Sequence, residues 1–242
     1  MIKFCVKFVF GVSLILCLSG CGVGPQTHYS NYIEESIIDI DYNPILLMNV
    51  RTKNPINSKH FLIVKMLEFE KDGERLAYQC IPNENIRQIR DNPEVISNLI
   101  FLSLKPGHYK LNIIKGMTWV DTSQGASSGS GYFQLPLFIE FVVQPGKISY
   151  IGRVDAIMRE KEDNDFPAGP ATPLLQQGVS GIAKSTFDIS VVDAFDLDKS
   201  YFSSVYPELK TQNIEKYIIP QWERPSKTQY NAPNTHFGFF NK

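Results

Sequence analysis

The sequence predicts a mainly β protein, an antiparallel β-sandwich followed by a short C-terminal helical segment. Runs of alternating apolar and polar residues follow one another along the chain, and each is about as long as a strand. Turn signals rich in Pro and Gly separate these runs, and helical periods are few. About seven or eight short strands arranged in this way are typical of a sandwich.

Two similar phrases, residues 105–111 and 144–152, each join a Pro-Gly turn to an alternating strand. Pro presets φ at the first central position of the turn, and Gly supplies the positive φ that a type II turn needs at the second. Gly152 interrupts the second strand, which predicts a β-bulge or the close approach of another backbone.

A β-hairpin is predicted around Asp72-Gly73, because this dipeptide is favoured in type I′ turns. A two-residue loop fixes the register of both strands. It places opposite charges or apolar side chains across from each other, in the pairs Lys71–Glu74, Glu70–Arg75, Phe69–Leu76 and Leu67–Tyr78. Each such pair contributes roughly 0.2–1 kcal/mol.

Further strands are predicted at residues 45–50, 99–104, 137–143 and 187–191. The third of these is expected to lie in the centre of its sheet, because both faces are apolar apart from Glu140.

Three segments between the strands differ in character. A short helix is predicted over 83–90, with Asn83 as its N-cap. Residues 123–131 have the composition of a flexible loop. The mixed charges of 159–165, beside a Pro-rich stretch, predict an exposed excursion.

The C-terminal part changes from strands to a helical segment, predicted over 196–219 with Asp196 or Asp198 as its cap. Residues 220–242 are expected to form a loosely ordered tail. Three aromatic residues close to the end are unusual for such a tail, and two roles stay open for them, docking on the body or on a partner: Phe237, Phe239 and Phe240.

The N-terminus predicts a secretory signal over residues 1–20. Lys3 and Lys7 precede an apolar run over 8–18, which is too short to span a bilayer that needs roughly 20 residues. The junction Leu18-Ser19-Gly20-Cys21 resembles the lipobox of bacterial lipoproteins. This resemblance implies cleavage between Gly20 and Cys21 and attachment of lipid, such as palmitate, to Cys21.

The alternative at this junction is an ordinary secretory signal with a chance cysteine. In lipoproteins of this type an Asp after the cysteine tends to mean retention in the inner membrane, and here Gly22 follows. The resemblance therefore implies the outer membrane, with the protein facing the periplasm or displayed on the cell surface. Residues 21–36 are interpreted as a tether, and 37–195 as the sandwich domain.

Cleavage would leave Cys80 as the one cysteine besides the anchor, so the mature chain would have no internal disulfide. Its apolar, alternating surroundings favour a small buried side chain over a reactive thiol. Loss of Lys3 and Lys7 would also take the formal charge from −1 to −3. A nearly neutral chain without a basic stripe gives no argument for nucleic acid as a partner.

The stretch from 104 to about 209 resembles a broad group of poorly characterised bacterial lipoproteins. The shared phrases are Pro106-Gly107-His108-Tyr109, Val143-Gln144-Pro145-Gly146-Lys147, Tyr150-Ile151-Gly152, Val192-Asp193 and Tyr206-Pro207. The resemblance implies a carboxypeptidase-regulatory or transthyretin-like β-sandwich, of the broader Ig-like kind. Such lipoproteins carry no agreed catalytic residues, so none is transferred.

Several positions carry residue types that occur in metal or catalytic sites. His28, His60, His108 and His236 lack the spacings of metal ligands. Four carboxylates have no EF-hand spacing, and a solvated loop is the favoured interpretation: Glu160, Glu162, Asp163 and Asp165. Ser128-Gly129-Ser130 lacks the frame of a nucleophile elbow.

Four aromatic residues would line a carbohydrate platform if they were exposed, although core packing is the favoured role for most of them: Trp119, Tyr132, Phe133 and Tyr150.

The sequence thus predicts a non-enzymatic outer-membrane lipoprotein that serves as a structural or protein-interaction module, without metal or cofactor. Its expected partners are the membrane, through Cys21, and a protein of the cell envelope. Two alternatives stay open. One is a periplasmic binding module for a glycan or peptide that uses exposed aromatic residues and the 123–131 loop. The other is an enzyme whose site is assembled from distant residues.

Overall fold

The computed structural model describes residues 44–92, 94–121, 127–169 and 178–225. The signal, Gly20, Cys21, the tether and residues 226–242 lie outside the described residues. The described part is mainly β, with two sheets and one α-helix. This confirms the predicted fold class at that level.

The strands, in chain order, are β1 (Ile45–Lys53), β2 (His60–Lys71), β3 (Glu74–Gln79), β4 (Ile86–Asn92), β5 (Val95–Ser103), β6 (Gly107–Asp121), β7 (Ser127–Val143), β8 (Ile148–Glu160), β9 (Ser185–Val192) and β10 (Ile214–Lys216). The first sheet has the order β3-β2-β6-β7. The second has the order β4-β5-β1-β8, and both β9 and β10 pair with β8.

The β2–β3 hairpin has the predicted register. Lys71 pairs with Glu74, and the three further predicted pairs follow. Asp72 has φ 53° and Gly73 has φ 79°, so both central residues adopt the positive φ of a type I′ turn. The hairpin prediction is therefore confirmed residue by residue.

Two pairings depart from the expected antiparallel arrangement, because β8 runs parallel to both β1 and β10. After β1 the chain alternates between the two sheets, and it enters β8 from the Pro145-Gly146 turn, which lies at the end where β1 begins. β8 therefore starts beside Ile45 and runs in the same direction as β1. The remaining pairings among the described strands are antiparallel.

Gly152 lies at a β-bulge in β8, as predicted. Its φ is +112°, and the register against β1 shifts between Leu47 and Asn49. An added Cβ would meet its neighbours only at ordinary contact distances of 3.5 Å and more. The backbone conformation, rather than crowding, therefore requires glycine here.

Both sheets contribute side chains to one apolar core. Buried contributors include Met48 and Val50 of β1, Leu67 and Phe69 of β2 and Phe133 of β7. A second cluster lies on the other face of the second sheet, where helix α1 (Phe195–Val205) covers it with Phe202. Residues after 195 thus pack on the same body as the predicted sandwich domain.

The strand at 137–143 belongs to β7, which lies at the edge of its sheet, so the predicted central position is wrong. Its inward face is buried in the core, whereas Glu140 on the outer face is exposed and Phe138 and Val142 are partly exposed. Two segments of the chain cover the part of the edge that precedes this stretch: the Gln134 amide donates to Ala168 O (2.8 Å), and Trp222 Nε1 donates to Pro136 O (2.8 Å).

The predicted helix over 83–90 is wrong, since residues 86–92 form β4, which pairs with β5. Asn83 has φ 71°, and its side chain accepts a hydrogen bond from Arg87 Nη1, so it shapes a turn before the strand. Residues 86–90, which the predicted helix and β4 share, fit either a helical or a strand pattern. Pairing with the edge of β5 favours the strand.

The β6–β7 ladder extends into the predicted flexible loop. Trp119 pairs with Gly129 and Asp121 with Ser127, so residues 127–131 belong to β7 rather than to a loop. Residues 117–120 form the end of β6.

The C-terminal helical segment is shorter than predicted. Helix α1 ends at Val205, a 3-10 turn covers Pro207–Thr211, and β10 then pairs with β8. The chain continues in extended form along the body, where the Tyr217 and Ile219 amides donate to Tyr150 O and Ile151 O. We call residues 217–225 the strap. The first six residues of the predicted loose tail belong to it.

Candidate functional site

A buried polar cluster lies between α1 and the second sheet. Asp198, in the first turn of α1, is 0% exposed and accepts hydrogen bonds from Asn49 Nδ2 (2.8 Å) and from the Tyr150 hydroxyl (2.6 Å). Asn49 and Tyr150 lie on the neighbouring strands β1 and β8, so the carboxylate joins the helix to both.

Burial dominates the titration of this cluster. Burial raises the pKa of the Asp198 carboxyl, although the hydrogen bonds from Tyr150 and Asn49 oppose that change. Burial and the hydrogen bond to Asp198 both raise the pKa of the Tyr150 phenol, which therefore stays protonated. The pair is enclosed, so it fixes the helix on the sheet and meets no substrate unless α1 moves.

Charged residues continue the cluster along the same two strands. Arg153 lies beside Asn49, and Asp155 lies beside Arg51. Arg153 Nε and Asp155 Oδ1 are 3.0 Å apart, but their angles do not make a hydrogen bond. Asn49 Oδ1 is likewise buried with no hydrogen bond from the described residues.

The strap is held by a second group of charges. Arg224 pairs with Asp165 Oδ1 (3.0 Å) and Asp188 Oδ1 (2.7 Å), and its guanidinium carbon lies 5.3 Å from the centre of the Trp222 ring. Arg159 pairs with the same two carboxylates. Burial raises the pKa of Asp165, but hydrogen bonds from Arg159 and the Glu162 amide outweigh it and lower the pKa.

These ion pairs involve Asp165, which belongs to the segment 159–165 that was predicted to be an exposed excursion. Asp165 is only 8% exposed and pairs with two arginines, so its predicted place in a solvated loop is wrong. Glu160, Glu162 and Asp163 are exposed, as predicted. Within the described ranges, no three His, Cys, Asp or Glu side chains lie close enough to hold a metal ion together.

Replacing Arg224 with Met is expected to lower the free energy of unfolding by about 1–3 kcal/mol, because Asp165 keeps its burial and loses one of its two cations. Arg224→Lys is the matched variant. It retains the charge but loses the fork that spans two carboxylates, so an intermediate loss is expected. Urea unfolding of the mature chain measures both, and equal stability of all three proteins would contradict the assignment.

An exposed apolar corner lies at the opposite end of the second sheet from the Pro-Gly turns. Ile56 is 40% and Val179 is 61% exposed. Two amide side chains hold the corner, since Asn57 Nδ2 donates to Val179 O (2.9 Å) and Asn54 Nδ2 donates to Ser180 O (3.2 Å). We call Ile56 and Val179 the apolar corner.

A shallow cavity of about 440 Å³ lies at the end of the first sheet that carries the turns. Its size falls within the range of small-ligand sites. Acidic, basic and aromatic side chains line it, among them Glu70, His108, Lys110, Glu140 and Tyr217. It is open to solvent along most of its rim.

The four candidate platform residues are not brought together as an exposed surface. Phe133 is 0% and Tyr150 is 1% exposed, so both belong to the interior, as the favoured interpretation predicted. Trp119 and Tyr132 are only partly buried, and Lys65 Nζ lies 5.9 Å from the centre of the Trp119 ring.

Cys80 is 3% exposed and unpaired with another cysteine, and burial raises the pKa of its thiol well above the usual range. Its predicted role as a small buried side chain is confirmed. His60 is 7% exposed, and burial lowers its pKa. His108 is exposed, as expected for the polar face of its strand, whereas His28 and His236 lie outside the described residues.

Sequence reasoning missed the cluster around Asp198. Asn49 gave a signal, because it is the single polar side chain in the apolar run 45–50. A buried polar residue usually has a hydrogen-bond partner, but that partner is 149 positions away. Asp198 was expected only as a helix cap, yet α1 has Ala194 at its N-cap and no side-chain cap.

The predicted processing residues Gly20 and Cys21 lie outside the described residues. Within the part of the chain that the structure describes, no helix has the length and apolar character needed to cross a membrane.

Comparison with known proteins assigns this chain to no family. No model of a protein family matches the chain, and no curated protein matches it. Among solved structures, a leucine-rich repeat protein from Bacteroides thetaiotaomicron has a TM-score of 0.30 and 9% identity. The match covers 47% of this chain and 14% of that one.

Proposed function

We propose that the protein is a lipoprotein of the outer membrane, cleaved between Gly20 and Cys21 and held by lipids on Cys21. Its two sheets form a β-sandwich of the Ig-like or transthyretin-like kind. The body faces the periplasm and serves as a non-enzymatic structural or protein-interaction module of the cell envelope.

The shared core supports the sandwich, because the inner faces of both sheets pack against each other there. The parallel pairings of β8 and the covered edge of β7 depart from a simple antiparallel sandwich. They do not change the two-layer arrangement.

The apolar corner is the observation that carries the interaction role. Exposed apolar side chains become a binding surface when the backbone under them is rigid, since little conformational entropy is then lost on association. Asn54 and Asn57 fix the backbone beneath the corner through contacts across more than 100 positions of the chain.

Metabolic labelling with radioactive palmitate tests the anchor. The wild-type chain is expected to be labelled and to fractionate with the outer membrane, because Cys21 supplies the acylated thiol. The Cys21→Ala variant is expected to be unlabelled and unprocessed. Equal labelling of both proteins would overturn the proposal.

A further inference from the structure

The body has two ends of different construction. Three tight turns lie at one end, at Asp72-Gly73, Pro106-Gly107 and Pro145-Gly146. The register of β2, β6, β7 and β8 places them together, since Glu70 pairs with Lys110 and Gly107 pairs with Val143. We call this the turn end. The apolar corner and the junction of β6 with β7 lie at the other end.

The chain enters the body at the turn end. Pro44 is the first described residue, and its carbonyl accepts a hydrogen bond from the Leu104 amide (3.0 Å). The next residue, Ile45, donates to Lys147 O (2.9 Å). The start of the body is therefore fixed between the two Pro-Gly turns.

The length of the spacer can be compared with the length of the body. Twenty-two residues, 22–43, separate Cys21 from Pro44. A flexible chain of 22 residues has a root-mean-square end-to-end distance of roughly 25 Å, and this is an upper estimate for the spacer because the tether was predicted to end at residue 36. β6 alone has 15 residues, which corresponds to about 50 Å of strand.

We infer that the turn end faces the lipid bilayer and that the apolar corner projects away from it. This inference rests on the proposed anchor at Cys21. The opposite orientation would require the spacer to run along the whole body, roughly twice its root-mean-square length. The orientation also places the apolar corner where a partner in the periplasm can reach it.

Charge does not set this orientation. The turn end carries both signs, with Lys71, Lys105 and Lys110 near Glu70 and Asp72. Lys147 forms an ion pair with Glu215. A surface of mixed charge gains little from anionic lipid, so the tether is the cause, and the orientation is expected to be insensitive to salt.

Site-specific fluorescence quenching tests the orientation. Gln144→Cys places a thiol at the turn end, and Ser58→Cys places one beside the apolar corner; both native residues are exposed, uncharged and polar. Cys80 is buried and its thiol stays protonated, so a maleimide fluorophore labels only the new cysteine. Each lipidated full-length mature protein is placed in phosphatidylethanolamine–phosphatidylglycerol vesicles that carry a headgroup nitroxide.

The label at 144 is expected to lose at least about twice as large a fraction of its fluorescence as the label at 58, at low and at high salt alike. Equal quenching, or stronger quenching at 58, would overturn the orientation. Vesicle flotation separates the two proposals. If neither lipidated protein floats with the vesicles, or if Cys21→Ala floats equally well, then the anchor itself fails.

Discussion

Replacing Asp198 with Ala is expected to lower the free energy of unfolding by about 2–5 kcal/mol, because it leaves two buried donors without an acceptor. Those donors are Asn49 Nδ2 and the Tyr150 hydroxyl, which both bond to the Asp198 carboxylate. Helix α1 would also lose its polar link to the sheet. Urea unfolding of the mature chain, followed by tryptophan fluorescence, measures the loss.

Asp198→Asn provides the control, since it preserves shape and removes the charge. The raised pKa of Asp198 means that the folded protein binds a proton more tightly than the unfolded chain. Between the unfolded and folded pKa values the unfolded chain therefore holds fewer protons, and stability falls as pH rises.

The stability of wild type relative to Asp198→Asn is accordingly expected to be greater near pH 4 than at pH 7. A wild-type advantage that instead grows toward pH 7 would show that hydrogen bonding to the carboxylate, rather than burial, governs this residue. An Ala variant as stable as wild type would remove the cluster from the account of how α1 is held.

Replacing Gly116 with Ala is expected to cost about 3 kcal/mol, because the added methyl group has no room. The new Cβ would overlap with the Ile63 carbonyl and with the Phe133 ring. The carbonyl belongs to the backbone of β2, which pairs with β6 at this point, so it cannot move without separating the strands.

Gly178→Ala is the matched control, because the space around Gly178 is open and a methyl group there touches nothing. Its effect is expected to stay within about 0.5 kcal/mol. Thermal unfolding of both variants beside wild type gives the comparison. Equal midpoints for Gly116→Ala and wild type would mean that β2 and β6 are not packed this closely.

Local sequence patterns predicted the structure where neighbouring residues determine it. The Asp72-Gly73 hairpin is determined by its turn and by pairs within a few residues of it, and its register was predicted correctly. The segment 83–90 has no such local preference. Its pairing with β5 determines its conformation, and helix propensity is overridden.

The edge position of β7 shows the same limit in another form. An apolar strand indicates burial on both faces but does not say what covers it. Here Ala168 and Trp222 come from distant parts of the chain, and nothing in the strand's own sequence identifies them.

The candidate site residues also differ in whether neighbouring residues in the sequence are enough to predict them. The Cys21 prediction depends on residues that are contiguous in sequence, and it stays a prediction. The Asn49–Tyr150–Asp198 cluster depends on two strands and a helix being assembled first, and in the sequence only Asn49, a polar residue inside an apolar run, indicated it.

The strap has a consequence for the order in which parts of the protein fold. Trp222 and Arg224 close the side of the core between β7 and β9, and both follow in the chain the strands that they contact. The parallel pairing of β1 with β8 also spans about a hundred positions, and pairings of such separation form slowly. The core of this protein is therefore expected to close late in folding, after both β8 and the strap have reached their distant partners.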